Sequence, residues 1–319
     1  MAYTVAIASP ASQKENNGNW QTARRWSLFL RDAFEVSVLR EWDASMPAPD
    51  LLIALHARRS APSIAAFAAT GRPVVLVLTG TDLYRDIASD ADARRSLELA
   101  SHIVVLQPAG LALLPPPVRK RSRVIFQSAP SLAPWRFPAR PKFHDIGMIG
   151  HLRAEKDPLT FIRAASLVTE PSARLVHIGA ALDPALGEAA AAAEGPHYRW
   201  LGSMPHAQAR QRLKRCHAMA ITSVMEGGAN VIIEAVTSGV PVLASDIDGN
   251  RGMLGDDYPG YFPVGDARAL ARLVDRSIAD PAWHANLREH CDRRAAVFAP
   301  DAERSAVLAL ASEALASVR

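Results

Sequence analysis

Short runs of β-branched or aliphatic residues recur along this chain, most of them separated by spacers of helical length, and that recurrence is the strongest constraint on its fold. YTVAIAS (3–9), FEVSVLR (34–40), DLLIALH (50–56), PVVLVLTG (73–80), HIVVLQ (102–107) and SRVIFQS (122–128) read as strands, with helical patterns over 20–32, 60–70 and 83–100. Several of these runs are apolar without alternation, as expected of strands covered on both faces. Helix-length spacers let such strands run parallel. The order β-α-β-β-α-β-α-β-β describes one doubly wound half.

Prolines 130, 134, 138 and 141 then interrupt regular structure over APSLAPWRFPARPKF (129–143), which reads as a linker. Beyond it the pattern restarts. HDIGMIG (144–150), ARLVHIG (173–179), YRWLG (198–202), AMAITS (218–223), PVLAS (241–245) and GYFPVG (260–265) read as strands, helices fall over 157–169, 205–215 and 229–238, and helices fill most of 266–319. A chain of 319 residues is long for one domain. The expected fold is therefore α/β, two doubly wound Rossmann-like domains facing a cleft, the natural ligand site. The expected domains are 1–135 and 142–299, with a C-terminal helix at about 300–319 packing back on the first.

Composition narrows the class of partner. A formal charge of +4 without a long Lys/Arg block fits an anionic small molecule, and no nucleic acid is expected. Cys216 and Cys291, the only cysteines, give neither metal spacing nor a disulfide framework, so a reducing cytoplasm is expected. The first strand has no basic segment before it, which argues against a signal peptide. No run reaches 18 apolar residues, so membrane contact is not expected. No Asp-x-Asp pair ends a strand, DAD (90–92) lying in a polar helical stretch, and neither a metal nor a cofactor is expected.

In doubly wound sheets, ligands sit beyond the carboxyl ends of the strands, where helix N-termini offer N–H groups to anions. Two loops of the second half stand there. IGHLRAEKDP (149–158) places His151, Arg153 and Lys156 before a helix led by Asp157-Pro158. These cations suit a departing diphosphate, or they are a solvated charged loop. TSVMEGGANVIIEA (222–235) puts Glu226 and Glu234 on either side of Gly227, Gly228, Ala229 and Asn230. The turn suits a phosphate and Glu234 a ribose diol; alternatively the glycines close a loop and Glu234 pairs with a basic neighbour.

GHLRAEKDP, YRWLGSMP and CHAMAITSVMEGGANVIIEAVTSGVPVLASDIDG together resemble the C-terminal half of GT-B glycosyltransferases of family 4, over about 150–250. In that family a Gly-Arg-Leu…Lys motif and a Glu-x7-Glu motif hold the nucleotide diphosphate-sugar. The resemblance assigns Lys156 to the motif lysine and Glu226 and Glu234 to the two glutamates. His151 stands where the motif has arginine, and Arg153 is the candidate to supply the missing charge. With NNGNWQTARRW (16–26), LTGTDLYRD (78–86) and RVIFQSA (123–129), nearly the whole chain resembles the selenosugar synthases of selenoneine biosynthesis. That resemblance implies transfer from a UDP-sugar, UDP-N-acetylglucosamine or UDP-glucose, to selenophosphate without a metal. It also implies a link to a selenophosphate-producing enzyme and a downstream selenium-transfer oxidase.

It further implies an acceptor site in the first half. Asn16, Asn17, Gly18 and Asn19 follow the first strand, with Arg24 and Arg25 on the next helix; the bland reading is a turn capped at Asn19. Thr81 and Asp82 end the strongest apolar strand, although Asp82 also suits a helix N-cap. His56 ends another strand beside Arg58 and Arg59. Trp20 and Trp26 suit helix-face packing. Lys156, Arg153 and Glu226 are the candidate catalytic residues. Competing readings are a hexosyltransferase of envelope polysaccharide assembly, favoured by the amphipathic basic helix 20–32, a GT-B nucleotide-sugar 2-epimerase, and a non-catalytic sugar-nucleotide sensor.

Overall fold

Leu51–Leu55 and Val74–Leu78 contain no polar side chain, and every residue of both is buried in the strands they form in the computed structural model. That structure describes residues 3–12, 18–133, 135–136, 138–139 and 141–317. The chain divides into one unit of Met1–Ser128 with Pro300–Arg319 and a second of Ala129–Ala299.

In the first unit β1 (Thr4–Ala8), β2 (Glu35–Leu39), β3 (Leu51–Leu55), β4 (Val74–Leu78), β5 (His102–Val105) and β6 (Ser122–Val124) form a parallel sheet in the order β2-β1-β3-β4-β5-β6. Alternate residues point to opposite faces. Val5, Ile7, Leu51, Ile53 and Val75 pack with Trp26 and Leu30 of α1 (Gly18–Leu30) and with Val307 and Leu310 of the C-terminal helix Pro300–Ala316. Ala6, Ala8, Leu52, Ala54 and Leu76 face the other way, toward Ile64 and Phe67 of α2 (Ala61–Ala68).

The expected helix 83–100 is broken. A π turn, Asp82–Asp86, runs into α3 (Ile87–Ser89); Asp90 then takes an extended conformation and caps α4 (Ala91–Leu99) by accepting from Ala93 N. Nor does β5 lead directly to β6. A parallel pair needs a crossover, and α5 (Ala109–Ala112) and α6 (Pro116–Arg119) supply it.

The second unit begins at Ala129 instead of after a linker. Ala129 N donates to Phe298 O (3.3 Å), Leu132 N to Thr237 O (3.1 Å) and Arg210 Nη2 to Pro130 O (2.8 Å), tying the start of the Pro-rich stretch to this unit. Its strands are β7 (His144–Ile149), β8 (Ala173–Ile178), β9 (Tyr198–Trp200), β10 (Ala218–Ile221), β11 (Val242–Ser245) and β12 (Tyr261–Phe262). They form a second parallel sheet ordered β12-β11-β10-β7-β8-β9. The helices are α7 (Pro158–Ala165), α8 (Pro184–Ala192), α9 (His206–Leu213), α10 (Asn230–Val236), α11 (Asp248–Leu254), α12 (Ala267–Ala279) and α13 (Pro281–Ala295). The chain closes with α14, the Pro300–Ala316 helix of the first unit. No helix among the described residues is long and apolar enough to cross a membrane.

Where β7 and β10 begin, three imidazoles pack together. His217 stacks on His284 of α13 at 3.9 Å and meets His144 edge-on at 4.9 Å. His217 Nε2 donates to Ser277 O and His284 Nε2 to His217 O, while His144 Nδ1 lies 2.9 Å from Ser172 Oγ. Burial, reinforced by the neighbouring His284 and His144, pushes His217 from its ordinary 6.5 down to about 4. The folded state therefore binds fewer protons than the unfolded chain between those values, and stability falls as pH falls through that window. The stabilisation of wild type relative to His217→Gln should shrink by about 3 kcal/mol between about pH 7 and pH 4. Urea unfolding at several pH values measures it; a difference that does not vary with pH contradicts the neutral stack.

Candidate active site

In the second sheet strand order reverses between β7 and β10, and loops at such a switch point form the ligand crevice. After β7 the chain makes a 3-10 turn, Ala154–Lys156, and Asp157 adopts a left-handed φ of 43°. The Asp157 carboxylate caps α7, accepting from Thr160 N (3.3 Å) and Thr160 Oγ1 (2.6 Å), and Pro158 opens the helix without needing a donor. The loop after β10 is stitched to this turn. Thr222 Oγ1 lies 2.8 Å from Lys156 O, and Val224 N donates to Glu155 O at 3.0 Å.

The stitching brings two of the candidate side chains together. Lys156 Nζ lies 2.5 Å from Glu226 Oε1, which also accepts from Ser223 Oγ at 2.6 Å. The side chains are 16% and 11% exposed, shielded enough for the charges to act strongly yet open to a ligand. Behind them a polar chain continues inward. Ser245 Oγ donates to Ser223 O (2.6 Å), and buried Asn250 donates from Nδ2 to Ser245 O (2.9 Å). Gly249 lets α11 approach, since a Cβ there would lie 2.1 Å from Glu226 O.

His151 accepts from Ala180 N at Nδ1 (3.1 Å), which leaves its proton on Nε2. Burial and the cations of Arg153 and Lys156 hold its pKa below the ordinary value, so it brings an N–H donor and no charge where the motif has arginine. Arg153, on the same loop, is exposed. Its loop is braced from below. Burial pushes His177 down to about 4, and this neutral ring contacts Gly150 O through Nε2 (3.2 Å) and the Tyr198 hydroxyl through Nδ1 (3.2 Å).

Gly227 is buried, Gly228 half-buried, Ala229 precedes α10 and Asn230 begins it. Glu234, one turn further, is buried, and its Oε1 lies 2.6 Å from His206 Nε2.

The first sheet reverses between β1 and β3. Asn16 and Asn17 lie outside the described residues. Gly18 and Asn19 are the first residues of α1, so the helix starts earlier than a cap at Asn19 implies, and Arg24 is exposed on it. Arg25 corrects the expectation. Its Nε donates at 2.6 Å to Glu303 of α14, a carboxylate that Trp26 Nε1 (2.7 Å) and Ser128 Oγ (2.6 Å) also contact. A buried acid needs such partners, so Arg25 serves the docking of α14 in place of an incoming anion.

Asp82 is a second correction. It is fully buried, and its oxygens accept from the backbone N–H groups of Ala57 (2.9 Å), Thr79 (3.0 Å) and Gly80 (2.8 Å), so it fixes the loops after β3 and β4 and offers no open carboxylate. On that frame His56 takes a φ of 74°, a strained conformation for a residue with a Cβ. Its Nδ1 accepts from Arg59 N (3.3 Å) and its Nε2 lies 3.0 Å from Thr81 Oγ1. Burial depresses the His56 pKa against the pull of Asp82, so the ring is neutral and donates to Thr81. Asp86, missed in the sequence, lies 3.9 Å away; burial works against its charge, yet Arg85 and Arg58 hold its carboxyl below the usual range.

Two doubly wound parallel sheets, each with its polar loops at a switch point, define the α/β GT-B fold. The chain belongs to the family described as Glycosyl transferases group 1, which matches residues 133–297, more than half of its length. Among solved structures it is similar to HepE from Anabaena in complex with UDP and glucose, at 16% identity and a TM-score of 0.75, covering 99% of this chain and 100% of that one. A sucrose-phosphate synthase from Thermosynechococcus elongatus gives 17% identity and a TM-score of 0.77 over 99% and 100%. The lipopolysaccharide outer core galactosyltransferase WaaB gives 13% and 0.69 over 98% and 99%. Among the described residues no group of three or more His, Cys, Asp and Glu is arranged to hold a metal ion.

Ser223, Asn250 and His206 were not legible as site residues, because each reaches its partner through a contact between strand-end loops or helices that no local spacing encodes. The close approach at Gly249 gives one direct check. Gly249→Ala should cost about 1–3 kcal/mol of stability by forcing Glu226 and α11 apart. Urea unfolding measures this, and an unchanged midpoint contradicts the close packing.

Proposed function

We propose that this chain is a selenosugar synthase, transferring the sugar of UDP-N-acetylglucosamine or UDP-glucose to selenophosphate. The observation that carries the donor half is the 2.5 Å contact between Lys156 Nζ and Glu226 Oε1 at the switch point of the second sheet. It sets a cation for the diphosphate beside an acceptor for sugar hydroxyls. The complex of HepE with UDP and glucose supports a UDP-sugar donor. The acceptor half rests on the resemblance carried by residues 16–26, 78–86 and 123–129.

In this reading the selenium attacks the anomeric carbon. The carbon–selenium bond forms as the bond from that carbon to the β-phosphate oxygen breaks, and the electron pair leaves with UDP. Negative charge grows on the diphosphate, so preorganised donors aimed at it are the main source of acceleration. Lys156, Arg153 and the N–H groups of Gly227 to Asn230 supply them, with the neutral His151 as a further donor, so transfer proceeds without a metal. Glu234 takes the ribose hydroxyls and Glu226 the sugar. On the first unit Arg24 meets the acceptor's charge, and Gly18, Asn19, Thr81 and His56 offer hydrogen bonds. Water then cleaves the phosphorus–selenium bond, leaving phosphate and a 1-selenosugar. The substrate demands an enzyme that makes selenophosphate, and the product suits an oxidase that transfers selenium onward.

UDP release from UDP-N-acetylglucosamine should depend on added selenophosphate. Release that ignores it favours a hexosyltransferase or hydrolysis, and an epimer formed without acceptor favours an epimerase; either result overturns the proposal. Lys156→Ala should lower kcat by roughly 10²-fold or more through lost leaving-group stabilisation, whereas Glu234→Ala should mainly raise KM for the donor. Steady-state kinetics separates the two, and a near-normal kcat in the lysine variant removes Lys156 from the mechanism.

A further inference from the structure

Glu234, the proposed ribose ligand, is held by a residue that no motif marks. Its Oε1 lies 2.6 Å from His206 Nε2, a short hydrogen bond to a carboxylate. No partner for Oε2 is found among the described residues. A carboxylate with one oxygen anchored and the other open presents a fixed edge, which is what two vicinal hydroxyl donors require.

The anchor itself is well placed. His206 is the first residue of α9, and Pro205 before it (φ −56°, ψ 141°) sets the direction in which the helix starts. One turn on, Arg210 is buried against the same region, its Nη2 donating to Pro130 O (2.8 Å) and lying 3.4 Å from Thr237 Oγ1. Burial pushes Arg210 down and the Glu234 charge pulls it back up, so both residues of α9 face this part of α10. His206, however, has a side chain 45% exposed, too open for packing to explain its position. Charge and geometry, and not core burial, account for the contact.

We propose that His206 is a positioning residue for the donor nucleotide, holding the Glu234 carboxylate in the orientation that grips the ribose diol. This rests on the reading of Glu234 as the ribose ligand. His206 then acts through Glu234, and its effect requires the hydroxyl pair on the sugar.

Calorimetric titration of wild type, His206→Ala and His206→Gln with UDP and with 2′-deoxy-UDP tests it. Wild type should prefer UDP. His206→Ala should weaken UDP binding by about tenfold, the loss expected for a hydrogen bond to a charged group, and 2′-deoxy-UDP binding by less than about twofold. His206→Gln, whose amide N–H can occupy the place of Nε2, should recover much of the difference. His206→Asn, whose shorter side chain does not reach Glu234 Oε1, carries the test of the alanine variant should that variant fail to fold. Equal losses for both nucleotides, or no loss for either, overturn the proposal while leaving the ribose reading intact. A wild type that binds UDP and 2′-deoxy-UDP alike overturns the ribose reading and the proposal with it, and a wild type that binds neither overturns the UDP-sugar reading as well.

Discussion

The ion pair between Lys156 and Glu226 is the interaction on which the candidate donor site depends. Two charges shielded this far from water gain little from each other unless further hydrogen bonds satisfy them. Ser223 provides one, Ser245 and Asn250 continue the chain beneath it, and the backbone stitching at Thr222 and Val224 keeps both loops in register. All of this follows from topology. Because β7 and β10 are neighbours across the reversal of strand order, residues 70 apart in sequence share one end of the sheet. In the proposed reaction a diphosphate competes with Glu226 for the lysine and releases the carboxylate toward the sugar.

The central strands were legible because burial on both faces removes polar residues from them. Every run read as a strand contains one, trimmed at its ends, and the α/β class with two doubly wound halves followed; GT-B came from the family resemblance. Helices were less so. The polar stretch 83–100 has helical character throughout, and nothing in its composition announces the π turn at Asp82–Asp86 or the break at Asp90. Glu226 and Glu234 stood out through their spacing on either side of a strand-end turn and Lys156 through the cations of a second strand-end loop, and the family resemblance joined the three. Arg25 and Asp82 misled for a common physical reason. Each was read as an open polar group in a loop or first helical turn, while its partners were remote: Glu303 lies 278 residues from Arg25, and the Ala57 N–H lies 25 residues from Asp82.

Those two corrections leave the first unit with a distinct polar arrangement. Asp82 spends its oxygens on the backbone of two loops, and that rigid frame carries the strained His56 beside Thr81. Strain at a strand end persists only where surrounding bonds over-determine it, a pattern of functional sites. Glu303 does comparable work for α14, gathering Arg25, Trp26 and Ser128 around one buried carboxylate. A neutral His56 donating to Thr81 leaves that hydroxyl's own proton for an acceptor oxygen, consistent with binding an anion through neutral donors.

The central claim is that a sugar carbon becomes bonded to selenium. Mass spectrometry of the product formed from UDP-N-acetylglucosamine and selenophosphate tests it most directly. The account predicts the isotope pattern of selenium in an ion that also contains the sugar, with loss of UDP in equal amount. A product ion carrying the sugar without selenium contradicts it.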